Sequence, residues 1–225
     1  MYGKKINRFE RKWIYKANEH LTLINALIKS NLFFFKQYPD RKVNSIYFDD
    51  INYSSIIENL DGVYQKKKIR VRWYGKNDKL IKPILEIKSK KGFVTDKVTY
   101  QINELNNLIF NNFKNLELIK DIVNSKNKTK NVIYPILTTN YDRQYFVSNN
   151  GCVRATVDYN LKSVHLKNLS QIDIIKNFSS TCILEVKYPT NLDKHVRQNL
   201  REITLRLSRN SKFINSAFET PNYFS

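Results

Sequence analysis

Charged and apolar residues alternate along several segments of the chain, and a period of two predicts strands. From Lys5 to Tyr15, Phe9 and Trp13 fall on one side of an extended backbone and Arg8, Glu10 and Lys12 on the other. The stretch KKKIRVRWYG, residues 66–75, sets Ile69, Val71 and Trp73 against Arg70 and Arg72 in the same way. A further strand is predicted over RKVNSIYFDD, and KPILEIKSKKG forms a hairpin with KIRVRWYG through the turn formers of YGKNDK. FVTDKVTYQI, YPILTTNYDRQYFVS, CVRATVDYNLKSVHL and TCILEVKYP complete the predicted strands.

Helical spacing is confined to the segments between. Leu21, Ile24, Leu27 and Ile28 recur at helical intervals behind Asn18, a predicted N-cap. YSSIIENLDG reads as a short helix closed by Gly62, which suits a left-handed C-terminal position. NELNNLIFNNFKNLELIKDIVNSK is a helical region with asparagine interruptions, followed by a polar loop from Asn124 to Asn131. From Asn191 to about Ser208, Leu192, Val196, Leu200, Ile203 and Leu207 predict an amphipathic helix. No internal repeat or linker divides the sequence, so a single domain over residues 1–225 is expected.

Composition adds a polyanion to the picture. The formal net charge is +19, from 39 Lys and Arg against 20 Asp and Glu, which favours nucleic acid, phosphate chains or an anionic surface as partner. Hydrophobic residues at 41% still supply an interior. Cys152 and Cys182 lack CxxC or histidine company, which excludes a zinc signature; both are expected as buried free thiols. His20, His165 and His195 show no ligand spacing. The start MYGKKINRFERKWIY lacks a signal-peptide core, and no apolar run reaches the roughly 20 residues of a bilayer span, so a cytoplasmic protein is expected.

The strands share one habit. Charges keep to a single parity, as Arg8, Glu10 and Lys12; Arg70 and Arg72; Glu86, Lys88 and Lys90; Arg154 and Asp158; Glu185 and Lys187. The other parity is apolar, and Glu-x-Lys recurs at Glu10, Glu86 and Glu185. An ordinary solvated sheet face accounts for any one strand. The repetition suits an α+β fold in which an antiparallel β-barrel has a charged lumen and helices packed outside, since barrels of about eight strands hold an extended ligand. Clustered cations in such a lumen need an anionic guest or retained water.

Read in order, RFERKWIY, SIYFDD, KIRVRWYG, LEIKSKKG, DKVTY, YDRQYF, VRATVD, ILEVKY and SKFINSAF cover nearly the whole chain. In these motifs the chain resembles the VTC domain, the polyphosphate polymerase branch of the triphosphate tunnel metalloenzymes. The resemblance implies catalytic roles for Arg70, Arg72, Lys88 and Lys212. It implies phosphate contacts from Arg8, Lys12, Lys90, Lys97, Arg143, Arg154, Lys187 and Arg209. It makes Glu185 the metal-binding glutamate, with Glu10, Glu86 and Asp158 in support, and Mn²⁺ or Mg²⁺ as the cofactor. The implied substrates are ATP and inorganic polyphosphate, with no stable nucleic-acid partner and no membrane span.

Those residue types fit phosphoryl transfer, which needs charge neutralisation and in-line placement more than a protein nucleophile. Related hydrolases carry a more acidic first strand than RFERK, which favours the polymerase branch. SRNSKFINSAF lacks the family's proline and first lysine, with Arg209 in that region. A triphosphatase of the same fold, a silent polyphosphate-binding protein and a nucleic-acid-binding module remain open at this point. Against the last, Phe9, Trp13 and most other aromatics share parity with the core.

Overall fold

Period-two alternation produces nine strands in the computed structural model, which describes residues 7–75, 79–92, 94–110, 113–127, 131–166, 176–178, 180–203, 206–208 and 210–218. The strands are β1 (Arg8–Lys16), β2 (Phe35–Asp49), β3 (Gln65–Tyr74), β4 (Ile84–Lys91), β5 (Val94–Gln101), β6 (Tyr134–Val147), β7 (Arg154–His165), β8 (Lys176–Phe178) and β9 (Thr181–Pro189). The helices are α1 (His20–Lys29), α2 (Ser54–Leu60), α3 (Phe113–Lys126), α4 (Asp193–Leu200) and α5 (Lys212–Phe218). All nine strands belong to one sheet in the order β1-β9-β7-β6-β2-β3-β4-β5, with β8 on β7. The pairings of β1 with β9, β9 with β7, β2 with β3, β3 with β4 and β4 with β5 are antiparallel. This is the expected α+β class built on an antiparallel sheet.

The chain divides into two compact units. The first takes the described residues within Met1–Arg41, Tyr141–Leu161 and Ser179–Asn210. Its core sets Leu23 and Leu27 of α1 and Val196 and Leu200 of α4 against Trp13, Tyr15, Val157, Leu184 and Val186 of the sheet. The second takes the described residues within Lys42–Asn140, Lys162–Phe178 and Ser211–Ser225. There Val71, Trp73, Leu85 and Phe48 pack on Leu116, Ile119 and Val123 of α3. A satellite cluster joins Tyr47, Ile56, Ile136 and Leu137 to Phe213 and Ala217 of α5.

Several expectations are corrected. In α1 the buried stripe is Leu23 and Leu27, while Leu21 and Ile28 are 70% and 48% exposed. Asn18 is not the N-cap: it lies in a 3₁₀ turn, Ala17–Glu19, held by the Lys16 amide donating to the Glu19 carboxylate at 2.7 Å. The last predicted helix stops at Leu200, because the sheet captures the chain beyond it. The Tyr15 hydroxyl donates to the Ile203 carbonyl, and the Ser208 amide donates to the Lys12 carbonyl at 2.9 Å. Leu207, assigned to that helix, is exposed.

Phe9 is 40% exposed although its parity is that of the core, because it sits at the start of an end strand of the sheet. Cys152 is exposed in the turn before β7, and only Cys182 is buried. The polar loop begins later than Asn124, since α3 runs through Lys126. Gly62 does adopt the left-handed conformation, at φ 70°. Asp49 and Asp50, which end the second predicted strand, cap α2: Asp49 accepts from the Ser55 and Ile56 amides, and Asp50 from the Asn52 and Ser54 amides. Among the described residues, no helix is long and apolar enough to cross a membrane.

Two outcomes check this assignment of faces. Leu27→Ala should cost about 2–5 kcal/mol in urea denaturation, whereas Leu21→Ala should stay within about 0.5 kcal/mol of the parent. In the native protein one thiol, that of Cys152, should react with Ellman's reagent. Burial pushes the Cys182 thiol up to about 11, and it should react only on unfolding.

Candidate functional site

Directly opposed residues of an antiparallel pair project from the same sheet face, and so do positions two apart on a strand. In the second unit this rule gathers the charged residues of β3, β4 and β5. Tyr47, Arg70, Glu86 and Thr99 form one rung; Lys68, Lys88 and Lys97 form the next; Lys66, Lys90 and Thr95 the one after. On the other side of the Glu86 rung lie Ser45 and Arg72. Cations therefore repeat at each rung, and on this face the described residues of β3, β4 and β5 contribute one carboxylate, Glu86.

Glu86 is 6% exposed, and its two oxygens are fully engaged. Arg70 approaches Oε2 through Nε and Nη2, each at 2.6 Å, and Lys97 reaches Oε1 at 2.6 Å, with Arg72 Nη1 at 3.5 Å. Burial works to raise the Glu86 pKa, but Arg70 and Lys97 outweigh it and hold the carboxyl below the usual range. Arg70 also donates to the Tyr47 hydroxyl at 3.2 Å, and the Tyr47 ring stacks on Phe213 of α5 at 4.9 Å. Lys68 donates to Ser211 Oγ at 2.8 Å. Lys212 opens α5 between Ser211 and Phe213, the two residues that seat this segment on the cationic face. Arg72 Nε and Ser45 Oγ, which share a rung, are buried without a hydrogen-bond partner. That leaves a donor of this face available to an anion's oxygen or to water.

The first unit carries its own cluster on β1, β9 and β7. Glu10, Lys187 and Arg154 share one rung, and Lys12, Glu185 and Thr156 the next. Lys187 lies 2.5 Å and Lys12 3.4 Å from Glu185, and the same two ammonium groups lie 3.6 Å and 3.1 Å from Glu10. Burial would raise the Glu185 pKa; Lys12, Lys187 and Arg143 overcome it and bring it to about 2. Arg143 grips Asp158 with two parallel bonds, Nε to Oδ1 at 2.5 Å and Nη2 to Oδ2 at 2.7 Å. Arg8 and Arg154 are exposed.

Of the four carboxylates expected at a metal, Asp158 is taken by Arg143 and Glu86 by Arg70 and Lys97. Glu10 and Glu185 form a pair that shares Lys12 and Lys187, and no group of three or more His, Cys, Asp or Glu positioned for a metal occurs among the described residues. Both are oxygen donors of the kind a hard divalent cation takes, and a cation bound there would replace Lys12 and Lys187 as their partners. Thr156 Oγ1, on the Glu185 rung, is a buried oxygen without a partner. Arg209 lies outside the described residues. Sequence reasoning missed Tyr47, Ser45, Thr156 and Ser211. Parity in SIYFDD places Ser45 and Tyr47 opposite Ile46 and Phe48, but an aromatic on a strand reads as core.

A family model described as VTC domain matches residues 7–218. Among curated proteins none matches the sequence. Among solved structures, a candidate adenylate cyclase from Vibrio parahaemolyticus aligns at TM-score 0.50 and 12% identity, over 95% of this chain and 100% of that one. A candidate adenylyl cyclase from Hippeastrum, described as having a dominant triphosphatase activity, aligns at TM-score 0.51 and 15% identity, over 95% of each chain. At such identities the likeness is one of fold.

Replacing the Glu86 carboxylate tests whether it holds the cations in place. Its lowered pKa means that Glu86 contributes stability above its unfolded value of roughly 4.3, and that this contribution fades as pH falls through the lower folded value. Glu86→Gln should therefore lose roughly 1.5–3 kcal/mol at pH 7 by urea denaturation. The gap to the parent should narrow towards pH 3, and added tripolyphosphate should restore much of the loss.

Proposed function

The chain belongs to the VTC domain family, and from that premise we propose that it is a polyphosphate polymerase that moves the γ-phosphoryl group of ATP onto the end of a polyphosphate chain. The observation that carries this reading is the face around Glu86, where Arg70, Arg72, Lys88 and Lys97 occupy successive rungs. Repeated cations at strand spacing suit a ligand whose negative charge also repeats. A single phosphate or carboxylate would engage one rung and leave the rest in mutual repulsion.

Arginine grips phosphate bidentately, so Arg70 and Arg72 take the oxygens that must be oriented; Lys88, Lys90 and Lys97 neutralise charge along the chain. Lys212 is assigned to the same group through its place beside Ser211 and Phe213. Glu86 touches no substrate in this account. It fixes Arg70 and Lys97 and is a positioning residue. The first unit has cations of its own for a phosphate group in Arg8, Lys12, Arg143, Arg154 and Lys187, with Arg143 oriented by Asp158. A divalent cation, Mn²⁺ or Mg²⁺, held by Glu185 and Glu10 would supply charge neutralisation within the first unit.

In the reaction an oxygen of the terminal phosphate forms a bond to the γ-phosphorus, and the bond from that phosphorus to the β,γ-bridging oxygen breaks. ADP leaves with the electron pair. The attacking end is already ionised, so no general base is required. A second reading follows from the Hippeastrum protein, in whose description triphosphatase activity dominates: with water as the attacking group, the same arrangement would release orthophosphate.

Incubation with γ-labelled ATP and Mn²⁺, with and without a short polyphosphate primer, separates the two on a gel. The polymerase predicts a ladder of long anionic chains, and orthophosphate alone would overturn it in favour of the triphosphatase. Arg72→Ala and Lys212→Ala should each lower the rate about 10²–10³-fold, as expected for the loss of one donor to developing charge. Glu185→Ala should abolish metal-dependent turnover.

A further inference from the structure

The first unit also holds a cavity lined by residues to which no part in phosphoryl transfer is assigned above. The cavity, of about 620 Å³, lies where α4 packs on β1 and β9. Its floor is apolar, made by Trp13, Val196 and Leu200, and its rim carries Lys194, Arg197 and Arg201. On β1, Arg11 and Trp13 alternate with Glu10 and Lys12, and on β9 Tyr188 alternates with Lys187. The cavity therefore opens on the sheet face opposite the Glu185 cluster.

Its one acid is committed. Asp193 accepts from Arg11 Nη2 and from the Tyr188 hydroxyl, each at 2.7 Å, and lies 3.8 Å from Arg197. Arg11 also donates through Nε to the Tyr188 hydroxyl. This network closes one wall and leaves the rim with an excess of positive charge. Leu207, exposed and out of any helix, sits at the edge of the same cavity.

The volume matches a small molecule, and the combination of an apolar floor with guanidinium donors selects its chemistry. A polyphosphate would lay charge against Trp13, Val196 and Leu200 and lose hydration there without replacement. A neutral apolar molecule would leave the rim cations without an anion. We propose that this cavity binds an amphipathic anion, a phosphate or carboxylate head on an aliphatic or aromatic body, at a site separate from that of the phosphate chain.

Calorimetry on the full chain tests the assignment with octyl phosphate below its micellar concentration, and with inorganic phosphate and octanol as the head and body alone. Saturable 1:1 binding is expected, at least tenfold tighter than for either half. Trp13 is one of two tryptophans and Trp73 lies in the other core, so tryptophan emission of the unsubstituted protein should shift over the same range. The exposed pair R197A/R201A should weaken octyl phosphate at least tenfold, while Glu185→Ala leaves it unchanged. Absence of binding, equal binding of inorganic phosphate, indifference to R197A/R201A, or displacement by tripolyphosphate would each overturn the proposal.

Discussion

The ion pairs of Glu86 with Arg70 and Lys97 are the interaction on which the second unit's chemistry depends. Cations held on adjacent rungs repel one another, and a half-buried guanidinium with no partner is costly. One carboxylate, 6% exposed and bonded on both oxygens, offsets enough of that repulsion for the face to exist without a ligand. It leaves the remaining donors directed at whatever anion arrives. The first unit solves the same problem with two carboxylates and two lysines, in which Glu10 and Glu185 share Lys12 and Lys187.

Core and site are set by one pattern. Val71 and Trp73 face the helices because Arg70 and Arg72 face the other way, and Leu184 and Val186 bracket Glu185 in the same manner. A register slip of one residue would turn the cations into the core and the core into solvent, so burial of the apolar face fixes where the charges stand. The stability of the fold and the placement of the cations are thus one constraint. The same alternation gives β1 and β9 a different lining on their other face, where α4 covers Trp13 and Tyr188 but leaves a cavity rimmed by basic residues.

Strand positions and their two faces were legible because period two is local and survives tertiary packing. The ordered motifs from RFERKWIY to SKFINSAF carried the family. Partner choice was much less legible. Asp158 and Glu185 look alike along the chain, yet Arg143, from another strand, occupies the first and lysines surround the second. Glu86 had the same Glu-x-Lys signature as the metal candidates, and only strand register brings Arg70 to it. Helix faces failed for a similar reason: Leu21 and Leu27 are equally apolar, and packing alone decides which is covered. α4 ends where Tyr15 and Lys12 capture the following chain, contacts separated by nearly two hundred residues that no periodicity records. Tyr47 escaped because a strand aromatic reads as core, whereas here its hydroxyl meets Arg70 while its ring supports α5.

The proposed phosphate-chain site is the face around Glu86 that strand register builds. A crystal structure of the protein with tripolyphosphate and Mn²⁺ tests it most directly. Phosphate oxygens within hydrogen-bond distance of Arg70 and Arg72, with Arg70 still on Glu86, is the predicted result. Tripolyphosphate seated elsewhere, with Arg72 Nε still without a partner, would contradict it.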